Sequence, residues 1–178
     1  YPPLVIQQPM NKRTGDFKRI KQNPVDLAEL NSEDWLCFPA KVGKYIVMVY
    51  FHLTFFELGL SLCNLFQLAE DADLEKEPDA VFIYGVAGNK LDNLAKYPTV
   101  FYNDEKNSIF VGAIPDRPEF GYFGYLKKMM LTLHNSLVMK AGNMPFHGAM
   151  VRILLHGNKE ATILMMGDTG AGKSETLE

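Results

Sequence analysis

The stretch YIVMVYFHLTFFELGLSLCNLF, residues 45–66, is apolar and long enough to pass for a membrane span, and its reading decides the fold. It contains His52, Glu57 and Asn64, and an unpaired glutamate is costly in lipid. Its first half is β-branched and aromatic, whereas Leu58, Leu62, Leu65 and Phe66 follow at helical spacing. The pattern therefore predicts a buried strand running into a packed helix, with Gly43 marking the start of the strand. Cys63 is expected as a small buried hydrophobe within that helix.

The flanking sequence extends this alternation. Glu70 to Asp79, EDADLEKEPD, carries six acids against one lysine and reads as a solvated helix end and loop; its spacing is not that of a calcium loop. AVFIYG (80–85) predicts a short buried strand and NKLDNLAKY (89–97) a helix. Thr99 to Tyr102 and Ser108 to Ala113 flank NDEKN and predict a hairpin. Leu126, Met129, Met130, Leu133, Leu137 and Val138 form one apolar stripe of a helix ending at Lys140, stopped by Gly142. Its methionines read as core filler, and His134 as an ordinary partly buried side chain. Ala149 to Leu155 and Ala161 to Met166, separated by a turn at HGNKE, predict a second hairpin.

Composition limits the function classes. At 178 residues the chain can bury roughly 70% of its unfolded surface, so a core needs neither disulfides nor a structural metal. A net charge of −3 gives no general attraction to nucleic acid or to an anionic membrane, so neither is expected as a partner. Cys37 and Cys63 are too few for a disulfide framework and sit in no metal-binding pattern, which fits a reducing cytoplasm.

The chain closes on MMGDTGAGKSETLE, in which Gly167, Asp168, Thr169, Gly170, Ala171, Gly172, Lys173 and Ser174 spell G-x-x-x-x-G-K-S. A predicted strand precedes these residues and helix formers follow. In such a strand, turn and helix start, backbone N–H groups converge on phosphates and glycines allow close approach. Lys173 neutralises charge and Ser174 offers a magnesium ligand. The bland alternative is a glycine-rich turn capping a strand. ATP with Mg2+ is the expected ligand. With no initiator Met at Tyr1 and the loop so near Glu178, we read the chain as a piece of a longer protein.

Tyr122, Gly124, Lys127 and Lys128, then FHGAMV (146–151), then the loop, resemble the central region of ATP-dependent phosphoenolpyruvate carboxykinase. That family carries a Y-x-G-E-M-K-K segment, then M-H-C-S-A-N-V, then G-x-S-G-x-G-K-T. The nineteen positions from Lys128 to His147 also resemble the family's interval. The likeness covers about the last third of the chain, and Arg13 in NKRTGDF is not carried over as a substrate arginine. Tyr125 stands where the family has glutamate, and GDTGAGKSE (167–175) is nearer the loop of HPr kinase/phosphorylase.

The resemblance implies that oxaloacetate, a dicarboxylate, and ATP become phosphoenolpyruvate, ADP and carbon dioxide. It further implies Lys128 and His147 as ligands of a second metal, Mn2+, Tyr122 as a substrate-site tyrosine and Lys173 as a phosphate-handling lysine. A lysine ligates metal only when neutral. On composition alone, Lys127 and Lys128 read as a solvated face and His147 as a structural histidine. Two rival readings accompany the carboxykinase one: an HPr kinase-like protein serine kinase, and a non-enzymatic nucleotide sensor. The expected architecture is an N-terminal α/β domain over residues 1–142, with a mixed sheet and packed helices. Residues 143–178 are expected to be the first hairpin of a nucleotide-binding P-loop domain, and the chain alone is expected to have no turnover.

Overall fold

Residues 45–66 divide where their composition changes. Tyr45–His52 is a strand (β3), its residues alternating between two buried faces, and Leu53–Phe55 turns the chain in a 3-10 turn before the short helix Phe56–Leu60 (α2). A second 3-10 turn, Ser61–Asn64, breaks the helical phase. The expected single helix is thus three short turns. Leu62 points into the core, while Leu65 is half exposed and Cys63 is exposed, which corrects its reading as a buried residue. A computed structural model describes residues 17–95 and 99–167, and its contacts divide the chain into two units, Tyr1–Leu137 and Val138–Glu178.

The first unit adds, in chain order, β1 (Lys18–Ile20), α1 (Val25–Ala28), β2 (Trp35–Val42), β4 (Gln67–Leu68), α3 (Asp71–Leu74), β5 (Ala80–Val86), β6 (Val100–Asp104) and β7 (Ile109–Pro115). The long helix α4 (Phe123–Lys140) follows. The strands form one mixed sheet in the order β1-β6-β7-β5-β3-β2-β4. β3, β5 and β7 are parallel neighbours, β6 and β7 are the expected antiparallel hairpin, and β2 pairs antiparallel with β3. The chain is therefore mixed α/β with packed helices. NKLDNLAKY is not a helix over its described part: residues 89–94 form consecutive turns, with Leu91 fully buried.

The alternation of β2 is broken by Pro39 and Lys41. The carbonyl of Pro39 accepts from the N–H of Ala69, so the side on which proline lacks a donor faces β4, whose pairing covers only Ala40 and Lys41. Gly43 sits at φ 63 in the β2–β3 turn, a conformation that glycine adopts without strain.

One sheet face carries Val47, Val49, Phe51, Phe82 and Tyr84, packed with the apolar stripe of α4. Leu126, Met129, Met130 and Leu133 of that stripe are fully buried. Each contributes about 1.5–3 kcal/mol by leaving water. The helix stops as predicted: Gly142 at φ 77 donates to the Met139 carbonyl, and Asn143 to that of Val138. The other face carries Ile83, Val111 and Ala113 beneath Ala28 and Leu91.

In the second unit, Gly148–Leu155 (β8) and Lys159–Met166 (β9) pair antiparallel from Gly148↔Met166 to Leu155↔Lys159, the hairpin the sequence predicted. Apolar residues occupy both of its faces: Val151 and Ile163 on one, Met150 and Leu164 on the other. Strands of this kind are found inside sheets covered on both sides. Here Met150 and Leu154 are 70% and 77% exposed.

Candidate functional site

The loop glycine Gly167 directly follows β9 and ends the described residues; Asp168, Thr169, Gly170, Ala171, Gly172, Lys173 and Ser174 lie outside them. A strand therefore delivers the chain to the first residue of the phosphate motif, as that motif requires.

Tyr122, Lys127 and Lys128 lie at the start of α4 in the first unit. Both lysines are exposed, on the face of the helix opposite its buried stripe. The Tyr122 ring lies over Gly124, so closely that a β-carbon at position 124 would collide with it. The Tyr-x-Gly spacing thus has a local packing role. Tyr125, in the position where the carboxykinase family has glutamate, is only 4% exposed and sits edge-on to Phe120. His147 belongs to the second unit, exposed in the segment just before β8. His134 is half-buried, with its ring 6.0 Å from that of Tyr45, as expected. Among the described residues no group of three or more His, Cys, Asp or Glu side chains is arranged to hold a metal, and no helix is long and apolar enough to cross a membrane.

The structure also assembles groups that the sequence did not bring together, at the carboxyl ends of parallel β3, β5 and β7, the edge where open α/β sheets bind ligands. His52 ends β3. Its Nδ1 accepts from the Thr54 N–H at 3.3 Å and lies 3.0 Å from Thr54 Oγ1, while the Thr54 hydroxyl donates to Asp116 at 3.1 Å. The Trp35 ring meets His52 edge-on with centroids 5.2 Å apart. The register shifts beside Gly85, whose φ is 112, and a β-carbon there would fall 2.6 Å from that of His52. Arg117, next to Asp116, donates to the Gly88 carbonyl at 2.8 and 3.0 Å and pairs with Asp92. His52, Thr54 and Asp116 are separated by 2 and 62 positions, so no local motif announces them. The first effect of these bonds is mechanical: they tie the ends of three strands together and fix the His52 ring.

Below that edge, the Tyr84 hydroxyl donates to the Phe120 carbonyl at 2.6 Å. Burial pushes this phenol well above its ordinary value, so it stays a neutral donor. At the opposite end of the sheet, Lys41 donates to both carboxylate oxygens of Asp73 at 2.9 and 2.7 Å. This bond holds the Asp73 carboxyl below its ordinary value and the Lys41 ammonium above its own. Asp73 also accepts from the Glu70 N–H, completing the reciprocal cap of α3.

Set against known proteins, the chain matches no family model, no curated protein and no solved structure.

Proposed function

We propose that this chain binds the phosphates of ATP through Gly167–Ser174. The observation that carries the reading is the G-x-x-x-x-G-K-S sequence placed directly after the strand Lys159–Met166. The backbone N–H groups of the loop face the phosphates, Lys173 offsets their charge, and the Ser174 hydroxyl ligates Mg2+. The resemblance adds a reaction in the longer protein: ATP-dependent conversion of oxaloacetate to phosphoenolpyruvate. In that reading Tyr122 lies on the substrate side, and Lys128 and His147 ligate Mn2+. These assignments rest on the sequence likeness alone. On the same reading the chain by itself binds ATP without turnover.

The burial of Tyr125 favours a second reading, a nucleotide sensor without carboxykinase chemistry, because the position that is acidic in the family has a packing role here.

Calorimetry with Mg-ATP tests the binding claim. Lys173→Ala removes a charge-assisted contact and should weaken binding about 10–100-fold. Equal affinity in the two proteins would overturn the loop assignment.

A further inference from the structure

The second face of the sheet packs Ile20, Ile83, Val100, Val111 and Ala113 with Ala28 of α1 and Leu91, and Trp35 of β2 joins the same cluster. Toward β2 this face opens into a cleft of about 320 Å³, at the small end of ligand-site volumes. One wall is the loop Leu30–Ser32. It is held off the sheet by Glu29 in the left-handed region (φ 50) and by Asn31, whose side-chain oxygen accepts from the N–H groups of Glu33 and Asp34 at 2.9 and 2.8 Å. The other wall is Trp35, Cys37 and Tyr50. Cys37 and Tyr50 are directly paired across β2 and β3, and Trp35 is steadied from behind by its edge contact with His52.

We propose that this cleft binds an uncharged planar ring bearing an N–H donor, seated beside Trp35 and donating to Tyr50. Three observations specify this class. The volume suits a single ring. The lining contains no charged side chain, while Glu29, Glu33 and Asp34 flank the loop, so an anion would be both desolvated and repelled. Finally, Tyr50 on the cleft wall carries a hydroxyl oxygen that can accept from a ligand N–H. Crowding around the sulfur pushes the Cys37 thiol up to about 11, so it stays neutral despite the open side of the cleft. The lining therefore offers apolar contact and hydrogen bonds without a charged side chain.

Trp35 is the single tryptophan, so its indole N–H gives one resonance that reports on the cleft. Titration of the chain with benzamide should move that resonance saturably, with a Kd of about 1–10 mM for so small a ligand. Benzoate, isosteric but anionic and without a donor, should bind at least about tenfold more weakly. Tyr50→Phe should weaken benzamide about 3–10-fold. Ser32→Phe, on the exposed loop, should fill the cleft and abolish the shift while leaving the circular dichroism unchanged. The proposal is overturned by a resonance that does not saturate, by benzoate binding as well as benzamide, by Tyr50→Phe leaving the affinity unchanged, or by benzamide binding that persists in folded Ser32→Phe.

Discussion

At Gly112 the sheet leaves no room between its backbone and Met129 of α4, and replacing that glycine by alanine measures the fit. A β-carbon on Gly112 would fall 2.5 Å from Met129 Sδ, 2.8 Å from Cγ and 3.2 Å from Cε. Ordinary carbon contacts lie near 3.5–4.0 Å, so the methionine must retreat by about 1 Å. The thioether end can swing, but Cγ is tied closely to the helix, and Met129 is fully buried between the helix and the sheet. Overpacking of this kind costs about 1–3 kcal/mol. Alanine returns about 0.4–1 kcal/mol by restricting the unfolded chain, leaving a net loss of up to about 2.6 kcal/mol. Met129→Ala alone should cost about 2–5 kcal/mol through the cavity it leaves. In that background Gly112→Ala adds a methyl to empty space and should be neutral or slightly stabilising. The two substitutions should therefore couple by about 1–3 kcal/mol. Urea unfolding of the four proteins, with m constant, provides the cycle. If Gly112→Ala stabilises the wild-type chain, or costs the same in both backgrounds, the helix does not pack on the sheet as described.

Tyr84→Phe removes one of the donors to the Phe120 carbonyl, which keeps the Tyr122 N–H, and should lower stability by about 0.5–1.5 kcal/mol in urea unfolding; an unchanged midpoint would mean that the bond contributes nothing. The Lys41–Asp73 pair sets a pH window. The Asp73 carboxyl titrates below its ordinary value of 3.8 in the folded chain, so its contribution is full above 3.8 and is lost as pH falls through the lower folded value. The Lys41 ammonium titrates above its ordinary value of 10.5, so its contribution is full below 10.5 and is lost as pH rises through the higher folded value. Asp73→Asn should thus be less stable than wild type between those limits and equal to it in strong acid; a difference that survives there would have another origin.

Elements with an unbroken period were legible before the structure: β5, the β6–β7 and β8–β9 hairpins, and α4 with its glycine stop. β2 was not, because Pro39 and Lys41 interrupt its alternation and its place is fixed by pairing with β3 rather than by local preference. The turns at residues 89–94 have helical composition, but Arg117 grips Gly88 and Asp92 from another part of the chain, a tertiary contact that local propensity does not contain. The exposure of Cys63 follows from a change of helical phase within one turn. The candidate phosphate loop was legible because its glycines, lysine and serine must be contiguous to surround a phosphate. The arrangement of His52, Thr54 and Asp116 depends on parallel strand order, and only folding brings its members together.

The central claim is that phosphates rest on the backbone of Asp168–Ser174, and the amide resonances of those residues test it most directly. Addition of Mg-ATP to the isotope-labelled chain should shift the N–H signals of Gly170, Gly172, Lys173 and Ser174 most and in parallel, with a single saturation curve that Lys173→Ala weakens. Signals in this segment that stay fixed while ATP saturates the protein, or shifts centred on another part of the chain, would contradict it.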